Sequence, residues 1–113
     1  MAEPTIPAVF GAGATQDGTT LTINKADLVA VGLTADASNT AESLLTAIIL
    51  LAKSALTEDG FNTNLDQSLT VADGFSSIVQ RDDGTGTFVN YRQSQLTVSL
   101  HTADSFSLDP DDF

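Results

Sequence analysis

The sequence predicts an α+β fold in which one long, mostly buried helix packs on a small antiparallel sheet, with an extended N-terminal arm and an acidic C-terminal tail. Two patterns support this: a single long helical segment, and a run of short segments after it that alternate apolar and polar residues. The 113 residues suffice for one domain. We therefore expect an arm (residues 1–16), a single domain (17–103) and a tail (104–113).

The first sixteen residues hold two prolines and two glycines among small side chains and show no helical periodicity, which predicts an extended arm. Its apolar character indicates packing on its own domain or on a neighbouring subunit. After a turn at Asp17-Gly18, the segment TTLTI (19–23) alternates like a short strand. Residues 24–28 predict one helical turn capped by Asn24, and residues 29–38 predict a loop.

The clearest element is a helix from Thr40 to Thr57. Asn39 precedes Glu42 by three residues, as in a capping box, and so marks the start of the helix. Gly60 is a typical C-terminal stop, with Phe61 placed to pack back on the last turn.

The polar stripe of this helix is narrow, whereas a surface helix usually has a broad polar face. One sheet can cover one apolar side, so the remaining side needs either the arm and loops or another subunit. We take this as a prediction of self-association. The helix residues expected at the interface are Leu44, Ile48, Leu50 and Leu51.

Short antiparallel strands are predicted in the C-terminal half. Residues 68–72 and 76–81 read as strands, and 88–91 carry further apolar side chains. Residues 96–101 alternate strictly and give the clearest strand. The tail is acidic, with isolated apolar residues.

The segment RDDGTGTF (81–88) raises the question of an ion or phosphate site. An EF-hand register with Gly86 at position 6 places arginines at positions 1 and 12, and the register with Gly84 places Val79 and Asn90 there. The phosphate-loop pattern G-x-x-x-x-G-K-[ST] is absent. Both kinds of site are therefore disfavoured.

A hairpin turn suits the same segment better. Asp83-Gly84 is a favoured two-residue turn, because both positions tolerate positive φ. This turn would pair Val79 with Phe88, and Ile78 with Val89 on the opposite face.

No pattern for catalysis is complete. His101 is the single histidine, and Ser99 and Asp104 near it lack the nucleophile turn and oxyanion site of a hydrolase. The paired carboxylates lie in turns or the tail, where nothing would raise their pKa. We predict that the protein is not an enzyme and uses no cofactor or metal.

Fifteen acidic residues face four basic ones, giving a net charge of -11. This charge opposes binding to nucleic acid and to anionic membranes. No apolar stretch is long enough to span a membrane, and the N-terminus lacks a signal-peptide pattern. Together with the absence of cysteine, these features predict a cytoplasmic protein.

The predicted function is a non-catalytic structural or assembly module that self-associates. The enrichment in Thr, Ser, Asp and Gly favours a small component of a larger particle such as a phage virion, on composition alone. The alternative is a small protein- or ligand-binding module that uses the hairpin around residues 75–92. In either case Phe88, Tyr91 and Arg92 form the expected contact patch.

Overall fold

The computed structural model describes residues 2–103 and 108–113, with Asp112 described by its backbone alone. Helices and strands are mixed, and the strands form two separate two-stranded antiparallel sheets, so the α+β class is confirmed. In chain order the elements are α1 (Ile6–Phe10), β1 (Thr15–Gln16), β2 (Leu21–Thr22), a 3₁₀ helix (Lys25–Val31), α2 (Ala41–Ala55), α3 (Glu58–Thr63), β3 (Leu69–Asp82), β4 (Phe88–Leu100) and a second 3₁₀ helix (Pro110–Asp112).

The N-terminal segment contains a helix where the sequence predicted an extended arm, so that prediction is wrong over Ile6–Phe10. The Thr5 hydroxyl accepts a hydrogen bond from the amide of Ala8 and caps the helix. Pro7 lies in the first turn, where its fixed φ suits a helix and its missing amide hydrogen has no partner to lose. Helix α1 packs on α2.

A clasp joins this segment to the first 3₁₀ helix. The amide of Gly13 donates to Asp27 Oδ2 at 2.8 Å, and Asn24 Nδ2 donates to the Gly13 carbonyl at 3.4 Å. Gly11 ends α1 with φ 111° and lies against the Asp27 side chain. Asp27 therefore fixes the path of the chain between α1 and β1.

The turn between β1 and β2 is organised by Asp17. Its Oδ1 accepts the amides of Thr19 and Thr20, each at 2.8 Å, and the Thr19 hydroxyl at 3.0 Å. These bonds, the Thr19 amide foremost, lower the pKa of Asp17 to about 2.

We expect the Asp17 carboxyl to titrate at about 2 in a pH series of carbon chemical shifts. In the urea-unfolded chain the same carboxyl should titrate with a pKa of about 3.9. Because the pKa of Asp17 is lower in the folded than in the unfolded chain, its hydrogen bonds stabilise the fold fully above a pH of about 4. This stabilisation is lost as the pH falls toward about 2. A titration midpoint of about 4 for the Asp17 carboxyl in the folded protein would contradict this account of the turn.

The core lies between the first 3₁₀ helix and α2. Leu28, Leu33 and Ala47 are buried together. Five half-buried side chains pack against them: Ile23, Val31, Leu44, Ile48 and Leu51. The prediction of a mostly buried α2 is not confirmed, because only Ala47 of this helix is buried and Leu45 is 58% exposed.

The predicted boundaries of α2 need correction at both ends. Thr40, not Asn39, caps the helix by accepting the amide of Ser43. Asn39 instead stabilises the preceding loop, because its side-chain amide donates a hydrogen bond to the Thr34 carbonyl at 2.9 Å. Gly60 does not stop α2; it lies inside α3, where its amide donates to Thr57 Oγ1 at 3.0 Å.

The predicted strands at 68–72 and 76–81 are one continuous strand, β3, which pairs with β4 over almost its whole length. The ladder shifts by one residue between Asp73 and Ser76, where Gly74 and Phe75 lie opposite Gln95 as a bulge. Gly74 fits because a Cβ there would lie 3.1 Å from the Gln95 carbonyl oxygen.

Candidate interaction surface

The β3–β4 hairpin projects from the rest of the protein. Every residue from Asp73 to Gln95 is exposed, and the described part of the chain adds no third strand to this sheet. We call residues 74–81 with 88–95 the shaft, residues 82–87 the tip, and residues 2–68 the body. From the bulge to the tip the shaft extends about 26 Å at about 3.3 Å per residue.

The register of the hairpin differs from the predicted one. Val79 pairs with Tyr91 and Ile78 with Arg92, three positions further along β4 than a two-residue turn would give. The strands are joined by a five-residue loop, 83–87, which the Asp83 amide closes by donating to the Thr87 carbonyl at 2.9 Å.

Side chains of the loop itself explain why it is longer. Asp82 Oδ1 accepts the amides of Gly84 and Gly86, both at 3.0 Å, and both glycines have positive φ. The carboxylate of Asp83 accepts the hydroxyl and the amide of Thr85, and these bonds lower the pKa of Asp83. The two carboxylates thus bond to the loop's own donors, as expected of a turn.

One face of the shaft carries an apolar patch with a cation above it. Val79 and Tyr91 are a cross-strand pair, and Val89 lies beside them opposite Arg81. The Arg81 guanidinium lies 5.1 Å from the centre of the Tyr91 ring. Cation–π contacts of this exposed kind contribute about 0.5–1 kcal/mol, so they stiffen the hairpin only modestly.

The opposite face is also apolar and also uncovered. It carries Ile78 and Phe88, the latter 68% exposed, and Arg92 Nη1 donates to Ser76 Oγ at 3.2 Å. Phe75 at the bulge is 86% exposed. A two-stranded hairpin is marginally stable by itself, and the described residues leave the apolar groups on both faces of this one uncovered.

The accessible surface of the protein is larger than that of a compact fold. It measures 8145 Å². A compact monomer of 11.7 kDa would expose only about 5,900 Å². The radius of gyration is 17.1 Å, against about 13 Å for a compact domain of this length.

The predicted interface residues of α2 divide into two groups. Leu44, Ile48 and Leu51 are half-buried and pack on the core cluster of their own chain. The core residue that they share with the first 3₁₀ helix is Leu28, and helix α1 also contacts α2. Leu50 differs, because it lines two shallow depressions with Val31 on the surface between α2 and the 3₁₀ helix.

The base of the hairpin is attached to the body by polar and aromatic contacts. Lys53 Nζ lies 2.7 Å from Asp73 Oδ1. The ring of His101 stacks on Phe61 with 4.2 Å between centroids. Gln67 is buried and donates to the carbonyls of both Thr57 and Leu69 at 2.9 Å. These contacts connect α2 and α3 to the hairpin strands.

His101, considered as a catalytic residue in the sequence, is exposed and stacks on an aromatic ring. It borders a cavity of about 740 Å³ that Phe61, Leu65 and Gln67 also line. Asp104, its expected neighbour, lies outside the described residues. Among the described residues no three His, Cys, Asp or Glu side chains are grouped as metal ligands would be.

The predicted tail at 104–113 is described only from Leu108 onward. There Asp109 accepts the amide of Asp111 at 3.0 Å and caps the short Pro110–Asp112 helix. Within the described ranges, no helix has the length and apolar character needed to cross a membrane.

Comparison with known proteins does not add a family to this geometry. No protein-family model, no curated protein and no solved structure matches the chain.

Proposed function

We propose that the protein is a non-catalytic assembly module that self-associates through the projecting hairpin. The observation that carries the proposal is the shaft itself: two long strands with open edges and exposed apolar side chains on both faces. Open strand edges and uncovered aromatic groups are features that proteins either protect or use for association.

The excess accessible surface can be compared with the area that an interface buries. The protein exposes about 2,300 Å² more than a compact monomer of its mass, and a standard interface removes about 800 Å² from each partner. Self-association could therefore remove much of the excess. A subunit of a larger particle, such as a phage virion, is the setting that we favour, because a projecting hairpin can reach a neighbouring subunit.

The test is the absolute mass in solution, measured by light scattering from micromolar to submillimolar concentration. We expect a defined oligomer for the natural sequence. Replacing the cross-strand pair, Val79→Ser with Tyr91→Ser, should weaken association at least about tenfold, which corresponds to about 1.4 kcal/mol. The reason is that this change removes apolar contact area from the shaft without touching the body.

The matched control is Leu108→Ser in the C-terminal tail, outside both the shaft and the body, where the side chain is 71% exposed. This variant should associate like the natural sequence. A monodisperse monomer at every concentration would refute the proposal, and an equal loss of association in the control would remove the hairpin as its site.

A further inference from the structure

The charges of the protein are distributed unequally between shaft and body. The shaft contains both arginines, Arg81 and Arg92, and no acidic residue. The body carries eight acidic residues against Lys25 and Lys53. Lys53 already forms an ion pair with Asp73, so the body is more strongly acidic than its count of lysines suggests.

This distribution of charge distinguishes three possible contacts between two copies. Body against body places two acidic surfaces together, which is repulsive. Shaft against shaft places the arginines of both copies together, and the carboxylates next to them in the tip, Asp82 and Asp83, already accept hydrogen bonds from their own loop. Only shaft against body brings opposite charges together, and complementary potentials are what select a partner and its orientation.

The area argument favours the same arrangement. A two-fold contact gives each copy one interface and removes about 800 Å² from it, whereas a head-to-tail contact gives each copy two different interfaces and removes about 1,600 Å². The second value is closer to the excess of about 2,300 Å².

We propose that the partner of the shaft is the acidic body of a second copy, in a head-to-tail contact that repeats from copy to copy. This inference rests on the proposed function. Such contacts generate rings when the rotation between copies closes and open chains when it does not.

The first experiment compares single variants with equal net charge. Arg92→Gln and Lys25→Gln each remove one positive charge, but only the first lies on the shaft. At about 0.15 M salt the screening length is about 8 Å, so the difference reports local contacts. We expect Arg92→Gln to weaken association about tenfold, Arg92→Lys to stay within about threefold, and Lys25→Gln to associate at least as tightly as the natural sequence.

The second experiment tests whether each copy associates through two different surfaces, its shaft and its body. Labelled Arg92→Gln protein at limiting concentration is titrated with the natural sequence, and binding is followed by fluorescence anisotropy. In a head-to-tail contact the intact body of the variant receives a natural shaft, so the affinity stays within about twofold of that of the natural sequence for itself, the factor of two arising because one of two equivalent arrangements is lost. A two-fold contact would give an affinity between those of the two homogeneous proteins.

The outcomes distinguish this inference from the proposed function. If the natural sequence is monomeric, both fail. If it forms an oligomer but Arg92→Gln behaves like Lys25→Gln, or the mixed affinity is intermediate, the head-to-tail contact is overturned and self-association stands. Selective loss in Arg92→Gln with full affinity in the mixture supports the contact.

Discussion

Replacing Leu28 with alanine should lower the free energy of unfolding by about 3 kcal/mol. Leu28 is 2% exposed, the least of the large side chains, and it joins Leu33 and Ala47 in the core between the first 3₁₀ helix and α2. The truncation removes buried methyl groups and leaves a cavity that helical backbone on two sides cannot fill. Urea denaturation followed by circular dichroism measures the change.

The neighbouring residue provides the control. Val29 lies in the same 3₁₀ helix but is 54% exposed, so Val29→Ala should change stability by less than about 0.5 kcal/mol. Both variants are compared at one low protein concentration, because self-association would add to apparent stability. A loss below about 1 kcal/mol for Leu28→Ala would show that the body does not depend on this core.

Replacing Gly11 with alanine should lower the free energy of unfolding by about 2–4 kcal/mol. Gly11 has φ 111°, which side-chain-bearing residues rarely adopt. A Cβ there would lie 2.5 Å from Asp27 Cβ, so Asp27 must move. Its hydrogen bond from the Gly13 amide would then be lost, and with it the clasp between α1 and the 3₁₀ helix.

Gly18→Ala is the matched control, because the added methyl group at Gly18 would meet no atom within 4 Å. It should stay within about 0.5 kcal/mol of the natural sequence. Thermal denaturation of the two variants measures the difference. Equal stability of both would mean that the clasp at Gly11 contributes nothing to the fold.

Local patterns in the sequence were sufficient for several elements. The long helix was placed to within two residues, because a run of good helix formers with a polar cap carries its own signal. The alternation in residues 96–100 predicted part of β4 for the same local reason. The turn character of Asp83-Gly84 was also correct, although the length of the loop was not.

Two of the errors share a physical cause, since they depended on contacts with residues outside the local segment, whereas the third arose within the loop of the hairpin itself. Pro7 suggested an extended arm but begins a helix that is held against α2. Gly60 suggested a helix stop but lies in a new helix, packed against the buried Gln67. The three-residue shift of the hairpin follows from Asp82 binding two loop amides.

The candidate surface was predicted in part. Phe88, Tyr91 and Arg92 were expected to lie in one contact patch; the structure places all three on the exposed shaft, but Tyr91 lies on the face opposite to Phe88 and Arg92. The length of that shaft was missed, because bulge residues Gly74 and Phe75 were taken for a break between strands. Helix α2 does carry apolar residues around most of its surface, but the sequence could not show that other segments of the same chain pack against many of them.

The sequence by itself determined the class of fold, the acidic charge, the bounds of α2 to within two residues and the turn at Asp83-Gly84, because these follow from composition and from side chains a few residues apart. Only the tertiary structure decided which apolar residues pack within one copy and which stay exposed, because burial depends on segments that are distant in sequence. Leu44, Ile48 and Leu51 pack against the cluster that contains Leu28 of the first 3₁₀ helix, whereas no described segment covers the shaft.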